Sequence, residues 1–216
     1  EAKAAVLAAK ENCDLPVLVT LIFDEKGKLL TGGTVDSTVA MLEGLRVDAL
    51  GVNCGLGPKQ MHPIIGRLTQ VSSLPIIVNP NAGLPRSENG KTAFDIAPAE
   101  FSDLTEEIAG MGVQAPGGCC RTTPEHLRLT IEKCRKVPFR PPVAKRRTVV
   151  SSFSQAVEIG PKPVIIGERI NPTGKSKFKA ALRENNIEYI LGEGMAQEDS
   201  GAHILDVNVG LPEIDE

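Results

Sequence analysis

The chain has 216 residues, of which 41% are hydrophobic and 24% charged, and its formal net charge is −3. This composition is typical of a soluble globular protein and excludes a disordered chain, which would have fewer apolar residues and more net charge. The mild acidity and the absence of Trp argue against a nucleic-acid-binding surface, and the apolar runs are too short to span a bilayer.

Strand and helix patterns alternate along the first part of the chain. Four short apolar runs predict strands, and the segments between them have apolar residues at helical spacing. The predicted strands are 17–23, 49–53, 75–79 and, more weakly, 113–116, and the predicted helices are 1–10, 36–45, 59–68, 98–109 and 124–136. The last helix has Thr123 as a candidate N-cap and Pro124 at its first position.

The composition changes after residue 136. Pro138, Pro141 and Pro142 lie among basic residues and predict an extended linker, while residues 148–159 are read as a short β-excursion or a loop. A second series of elements follows, with strands at 163–167 and 203–207 and helices at 175–183 and 187–200.

We therefore predict three regions. These are the C-terminal part of one domain at 1–136, a Pro-rich linker at 137–160 and the N-terminal part of a second domain at 161–216. Because the chain starts within a helix pattern, lacks an initial Met and ends just after a strand pattern, we expect it to be a piece of a longer protein.

The alternation predicts an α/β fold with a parallel sheet, since the strands show little polar alternation and suit burial on both faces. The two candidate architectures are a (β/α)8 barrel of the TIM type and an open doubly wound sheet. Residues 55–58 (Gly-Leu-Gly-Pro) do not form a nucleotide fingerprint, because they contain only two glycines and Pro58 lacks an N–H donor. This favours the TIM-type barrel over the open sheet.

Five cysteines are present: Cys13, Cys54, Cys119, Cys120 and Cys134. Their odd number, without a secretory pattern at the start of the chain, predicts free thiols or metal ligands in a reducing compartment, the cytoplasm. A disulfide between the two adjacent cysteines is disfavoured, because neighbouring Cα atoms are only about 3.8 Å apart.

Cys54 and the pair Cys119–Cys120 each follow a predicted strand directly. Because the C-terminal ends of barrel strands meet at one rim, we expect these three thiols to converge. Three thiolates suit zinc and would leave its fourth position open, where an incoming thiol would be deprotonated. The chemistry indicated is alkyl transfer to a thiol.

Two other interpretations of these cysteines stay open. Each can be a small buried hydrophobic residue, or a fourth protein ligand can close a structural zinc site. Cys13 and Cys134 lie on or beside helices and are interpreted as packing residues.

The three histidines are possible further ligands. His126 falls in the first turn of a helix, which favours a capping or surface role over metal binding. His203 begins a predicted strand, away from the rim, and His62 lies in a predicted helix.

Several motifs resemble those of known methyltransferases. Residues 51–58 (Gly-Val-Asn-Cys-Gly-Leu-Gly-Pro), 78–85 (Val-Asn-Pro-Asn-Ala-Gly-Leu-Pro) and 117–126 (Gly-Gly-Cys-Cys-Arg-Thr-Thr-Pro-Glu-His) resemble signatures of the homocysteine methyltransferase family. Residues 166–174 and 205–210 resemble the opening of the pterin-binding domain of folate-dependent methyltransferases. Their tandem order across a Pro-rich linker resembles the cobalamin-dependent methionine synthase family.

The resemblance implies that both domains are TIM barrels, present here as the end of the first and the start of the second. It also implies a zinc-dependent methyl transfer. Cys54, Cys119 and Cys120 match the family's zinc ligands, which would bind homocysteine as a thiolate. The thiolate would take the methyl group of methylcobalamin, held on a separate cobalamin-binding module, and form methionine. Methyltetrahydrofolate on the second barrel would then remethylate the cobalamin.

The resemblance also implies roles for five polar residues. Asn79 and Asn81 match the motif near the amino-acid part of homocysteine, and Asn171, Asp206 and Asn208 match positions at the mouth of the pterin barrel. For the last three, capping of their own loops explains the residues equally well. The alternatives for the whole chain are a homocysteine methyltransferase with another methyl donor and a catalytically incomplete fragment or scaffold.

Two positions depart from the family pattern. Arg121 stands where the family usually has glycine, and its side chain could constrain the loop or reach the substrate carboxylate. Residues 114–116 make a poor strand, because Pro116 cannot donate a ladder hydrogen bond. Since an incomplete barrel exposes strand edges, we expect the isolated chain to aggregate, swap or pack against a complementary piece.

Overall fold

A computed structural model describes residues 1–84, 86–88, 91–93, 96–212 and 214. Pro85 of the motif at 78–85 lies outside the described residues, as do three residues of the predicted second domain, Glu213, Asp215 and Glu216. The chain divides into two compact units, Glu1–Ala156 and Val157–Glu216. Within the described part, no helix combines the length and the apolar character needed to cross a membrane.

The first unit is built around a parallel sheet. Its helices are α1 (Ala2–Asn12), α2 (Val35–Gly44), α3 (Pro58–Val71), α4 (Pro98–Gly110) and α5 (Pro124–Cys134), and its strands are β1 (Leu18–Leu21), β2 (Ala49–Asn53), β3 (Ile76–Asn79), β4 (Arg86–Glu88), β5 (Lys91–Ala93), β6 (Ala115–Pro116) and β7 (Thr148–Ser151). Strands β1, β2, β3 and β6 pair in that order, all parallel. The predicted α/β class with a parallel sheet is confirmed, whereas an antiparallel β4–β5 pair was not predicted.

The weak fourth strand is shorter than predicted. Only Ala115 and Pro116 pair with β3, opposite Ile77 and Val78. Gln114 N donates to Ile76 O of β3. The next hydrogen bond to β3 is donated by Gly117 N to Val78 O, at 2.8 Å. Since Pro116 has no N–H to donate, the ladder skips it and the strand ends.

The core of the first unit lies between the sheet and helices α2, α3 and α4. Strand and helix side chains that are at most 1% exposed meet there, among them Leu50, Val52, Val78, Leu42, Met61 and Ile65. Such burial is the main stabilising contribution to the sheet–helix packing. Strand β2 is buried at its first four residues, and the predicted site residues follow the ends of β2 and β3.

Residues that follow α5 contact other parts of the first unit, to which they belong. The Gln114 amide donates to Arg140 O at 2.8 Å, and Lys145 N donates to the Ser73 hydroxyl at 3.0 Å. Arg147 lies 3.7 Å from the Asp36 carboxylate on α2. Residues 140–147 of the Pro-rich segment thus belong to the first unit and are held against its other elements.

The second unit contains a smaller parallel pair of strands. Strand β8 (Ala156–Ile159) starts at the last residue of the first unit. It is followed by β9 (Ile166–Ile170), α6 (Ser176–Arg183), α7 (Ile187–Asp199) and β10 (Ile204–Val207). Strands β9 and β10 pair in parallel, with Ile204 opposite Ile166 and Val207 opposite Ile170. Ile170 and Phe178 are buried between these elements.

One packing prediction is wrong. Cys13 is exposed to solvent and does not pack against a helix. It is the residue at which α1 ends, and its backbone is already extended. Because Cys13 follows the last helical residue and its backbone is extended, its side chain does not lie on the apolar face of α1. Cys134 is half-buried, and its thiol lies 3.8 Å from Thr105 O.

Candidate metal centre

Three thiols converge at the C-terminal ends of β2 and β6. The Cys54 and Cys120 Sγ atoms are 3.4 Å apart, and those of Cys119 and Cys120 are 4.0 Å apart. All three Sγ atoms lie within 4.8 Å of one another, the only such grouping of three His, Cys, Asp or Glu ligands among the described residues. The predicted convergence of Cys54, Cys119 and Cys120 is therefore seen in the structure.

Cys54 is placed by a tight turn that directly follows β2. Its φ is 58°, in the left-handed region, and Leu56 N donates to Cys54 O at 2.8 Å. Cys54 N donates to Asn79 O at 3.0 Å, which continues the β2–β3 ladder by one bond. The sharp reversal after the ladder turns the thiol towards the loop that follows β6.

Asn81 connects the two cysteine loops. Its side chain is only 4% exposed, its Oδ1 accepts from Cys120 N at 3.0 Å, and its backbone N donates to Leu56 O at 3.0 Å. Ala82 N donates to Cys120 O at 3.0 Å, so both polar backbone groups of Cys120 are bound by the loop that follows β3.

The glycine pair before the cysteines leaves room for neighbouring side chains. A Cβ at Gly117 would lie 2.3 Å from the Asn79 Oδ1, and one at Gly118 would lie 2.6 Å from the Thr122 Cγ2. The Thr122 hydroxyl donates to Cys119 O at 2.7 Å. These supporting roles of Gly117, Gly118 and Thr122 were not predicted, although two consecutive glycines at a strand end are a signal of close approach.

The thiols differ in their tendency to ionise. Burial of the Cys54 thiol opposes its ionisation, but the hydrogen bond from Cys120, with others from Gly55 N, Cys119 and Asn81, lowers the pKa of Cys54 below its usual value. The hydrogen bonds of Cys120 with Cys54 and Cys119 raise the pKa of Cys120 to about 11. The contact between the two thiols therefore favours ionisation of Cys54 over that of Cys120.

The spacing of the sulfur atoms fits a tetrahedral thiolate site. Zinc–sulfur bonds of about 2.3 Å place two tetrahedral ligands roughly 3.8 Å apart. The separations of 3.4 Å and 4.0 Å bracket that value. Soft sulfur donors in this arrangement suit zinc better than a hard cation such as Mg²⁺.

The histidines lie outside the thiol cluster. His126 is buried and forms a capping box with Thr123 at the start of α5, with its Nδ1 accepting from Thr123 N and its Nε2 facing Ile96 O, both at 3.2 Å. This confirms the capping interpretation over the surface one. His62 Nε2 lies 4.0 Å from the Glu107 carboxylate, and His203 Nδ1 accepts from Ile165 N in the second unit.

In the second unit, Asn171 and Asn208 follow paired strands. Asn208 N donates to Ile170 O at 2.9 Å, which brings the two residues after β9 and β10 together. The Asn171 Oδ1 accepts from Thr173 N and the Asn208 Oδ1 from Gly210 N, both at 2.9 Å, so each side chain caps its own loop. Asp206 is exposed on β10.

Sequence comparison relates the chain to a family of methyltransferases. The model of the family "Homocysteine S-methyltransferase" matches residues 1–134. The methionine synthase of Mycobacterium leprae (strain TN) is 32% identical over 220 residues, and that of Mycobacterium tuberculosis (strain ATCC 25618 / H37Rv) is 30% identical over 220 residues. Each alignment covers 96% of this chain but 18% of the relative, so the chain spans less than a fifth of these relatives.

Structure comparison gives a similar fold. The apo form of the homocysteine methyltransferase MmuM from Escherichia coli matches 61% of this chain and 44% of its own, with a TM-score of 0.50 and 23% identity. The match to its metallated form covers 62% of this chain and 40% of that chain, with a TM-score of 0.49 and 24% identity. At this level of identity the likeness is one of fold alone.

Proposed function

The chain belongs to the homocysteine S-methyltransferase family, and from this premise we propose that its thiol cluster binds zinc and activates homocysteine for methylation to methionine. Cys54, Cys119 and Cys120 would hold the metal. The observation that carries the proposal is the convergence of the three Sγ atoms within 4.8 Å of one another.

The chemistry of the site follows from its donor set. Zinc held by Cys54, Cys119 and Cys120 would act as a Lewis acid and would favour the thiolate form of a thiol at its fourth position. Cys54, Cys119 and Cys120 together carry more negative charge than a divalent cation neutralises, which keeps a bound substrate sulfur nucleophilic. Asn81 keeps the two cysteine loops in register through its bonds to Cys120 N and Leu56 O.

Asn79 and Asn81 are proposed as the residues nearest the amino-acid part of homocysteine. The Asn79 side chain packs over Gly117, beside the cysteine pair. The Oδ1 of Asn81 is bonded to Cys120 N, so its effect on the substrate would be exerted mainly through the position of the Cys120 loop.

The methyl donor is proposed from the resemblance of the tandem motifs. Methylcobalamin on a separate module would donate the methyl group, and methyltetrahydrofolate would bind the second unit at Asn171, Asp206 and Asn208. The adjacency of the loops after β9 and β10 supports a common site for these residues. One alternative is a homocysteine methyltransferase that uses another methyl donor. The other is a fragment that is inactive on its own, since the chain spans 18% of the length of its relative.

We also propose the organisation that surrounds this site. Residues 1–136 would be the end of one TIM-type barrel and 161–216 the start of a second, with 137–160 between them. The parallel order β1-β2-β3-β6 supports the first assignment. Five free cysteines suit a reducing compartment, and we place the protein in the cytoplasm.

Metal analysis of cysteine variants tests the proposal. The wild-type chain, purified under reducing conditions with zinc, is expected to retain one zinc per chain, whereas Cys54→Ala, Cys119→Ala and Cys120→Ala each lose it. Cys13→Ala is the matched control, because Cys13 is exposed and distant in sequence from the cluster. Stoichiometric zinc in all three cluster variants would contradict the ligand assignment.

A further inference from the structure

His126 joins the loop of the cysteine pair to the segment before α4. It lies in the first turn of α5, six residues after Cys120, and is only 6% exposed. Its Nδ1 lies 3.2 Å from Thr123 N and 2.8 Å from the Thr123 hydroxyl, and its Nε2 lies 3.2 Å from Ile96 O. The ring packs edge to face with the buried Phe101 of α4, with centroids 5.4 Å apart. The imidazole is therefore fixed between the start of α5 and the segment before α4.

The partners of His126 determine which ring nitrogen carries the hydrogen. A backbone N–H can only donate a hydrogen bond, and a carbonyl oxygen can only accept one. Nδ1, which faces Thr123 N, must therefore be the acceptor, and Nε2, which faces Ile96 O, must be the donor. The neutral ring with its hydrogen on Nε2 satisfies both contacts at once, so a single side chain links the two segments.

The segment on the Nδ1 side of the ring holds the first cysteine of the pair. Thr122 directly precedes Thr123, and its backbone N and its hydroxyl both donate to Cys119 O, at 3.2 Å and 2.7 Å. The turn that starts at Cys119 thus ends at the residue that His126 binds.

The segment on the Nε2 side holds the second cysteine. Ile96 N donates to Ala82 O at 3.2 Å, and Ala82 N donates to Cys120 O at 3.0 Å. His126 therefore closes a ring of hydrogen bonds that passes through the backbone of the cysteine pair.

We propose that His126 is a positioning residue for the cysteine pair and keeps Cys119 and Cys120 in place for metal binding. Capping of α5 needs only the bond at Nδ1. The bond from Nε2 to Ile96 O adds a second attachment, which ties the start of α5 to the loop that already holds Cys120. This inference rests on the proposed function, since it concerns how tightly the thiols hold the metal.

Two variants separate the two bonds of the ring. His126→Asn has an oxygen at the place of Nδ1 but is too short to reach Ile96 O, whereas the amide nitrogen of His126→Gln can take the place of Nε2. The probe is Co²⁺ alone, added to the reduced chain without oxygen, because its absorption reports thiolate binding. We expect His126→Asn to weaken Co²⁺ binding about tenfold, as residues that orient metal ligands do, and His126→Gln to bind nearly as tightly as the wild type.

Thr34→Ala is the matched control for the loss of a helix cap. Thr34 accepts from Ser37 N at the start of α2, a helix without cysteines. Its replacement should lower the Tm of the metal-free chain and leave the Kd for Co²⁺ unchanged. Titrations are made at a temperature at which circular dichroism shows every variant folded. Wild-type affinity in His126→Asn, or an equal loss of affinity in Thr34→Ala, would overturn the role of His126.

Nitrogen-15 NMR of the wild-type imidazole gives a test that needs no variant. We expect the hydrogen on Nε2, and a hydrogen on Nδ1 alone would overturn the inference, because the bond to Ile96 O would then be absent. Failure of the wild type to bind Co²⁺ at all would instead contradict the proposed function, and the inference would fall with it.

Discussion

Gly51 in β2 lies so close to β3 that no side chain fits there. A Cβ at this position would be 1.8 Å from Ile77 O and 2.9 Å from Ile77 N. Cys54 follows β2 and Asn79 ends β3, so the spacing of these two strands also sets the spacing of site residues. A single glycine thus links sheet geometry to the thiol cluster.

We predict that Gly51→Ala destabilises the chain. The added methyl group must push β2 and β3 apart, and overpacking of this kind costs about 1–3 kcal/mol of unfolding free energy. Urea denaturation followed by circular dichroism measures the change. Gly44→Ala is the matched control, because a Cβ at Gly44 meets no atom within 4 Å and should leave stability unchanged or slightly raised. Equal stability of Gly51→Ala and wild type would contradict the close approach.

The sequence predicted the proximity of the three thiols, because their positions follow from where the strands end. Cys54 and the pair Cys119–Cys120 follow strands directly, and parallel strands bring such residues to one rim. The bridging role of Asn81 was not predictable, because it depends on how the loop after β3 lies between two other loops. The metal-ligand and substrate roles of these residues stay predictions.

Helices α2 and α3 are joined by an ion pair at the surface of the first unit. Arg67 donates to both oxygens of the Asp36 carboxylate, through Nε at 2.8 Å and Nη2 at 2.5 Å. The hydrogen bond from Arg67 lowers the pKa of Asp36 despite the opposing effect of partial burial, and the charges of Arg67 and Arg147 add to this. The carboxylate therefore stabilises the folded chain in its ionised form.

We predict that Asp36→Asn lowers stability in a pH-dependent way. Because the folded pKa is below the ordinary value of 3.8, the contribution of Asp36 is present above that value and is lost as the pH falls through the folded pKa. The unfolding free energy should drop by about 1 kcal/mol at neutral pH, since the arginine is half-exposed and solvent weakens the pair.

Urea titrations of the wild type and Asp36→Asn over a descending pH series measure this difference. The two curves should converge on acidification. Glu132→Gln, which removes one acceptor of the exposed Arg128 on α5, is the control and should show no measurable change. A difference that grows towards acid pH would show that the carboxylate does not stabilise α2 and α3 in this way.

At the scale of elements, apolar patterns predicted the longer helices and the buried strands. Strands β2 and β3 appear where 49–53 and 75–79 were predicted, because runs of buried apolar residues have few alternatives. The β4–β5 pair was missed, since Arg-Ser-Glu and Lys-Thr-Ala have no apolar alternation to mark a strand. Its pairing depends on backbone hydrogen bonds that the side-chain pattern does not encode.

The first unit as a whole exposes apolar side chains along an edge of its sheet. Strand β1 is the terminal strand in the order β1-β2-β3-β6, and Leu18 within it is 59% exposed. Ile22, on the same face just after the strand, is 54% exposed. An apolar edge strand of this kind favours pairing with another chain.

We predict that the isolated chain self-associates and that Leu18→Lys reduces this. A lysine on the edge strand makes intermolecular strand pairing unfavourable. Sedimentation velocity at several concentrations measures the change. Leu30→Lys is the control, because Leu30 is fully exposed outside the strands and its replacement adds the same charge. A monodisperse wild-type monomer, or equal effects of both variants, would contradict the prediction.

We propose that three thiols hold a zinc ion whose fourth position accepts homocysteine. Zinc K-edge X-ray absorption of the zinc-loaded chain, recorded with and without L-homocysteine, tests this most directly. We expect three sulfur neighbours without the amino acid, one from each of Cys54, Cys119 and Cys120, and four sulfur neighbours with it. A zinc environment that stays the same when homocysteine is added would contradict the claim.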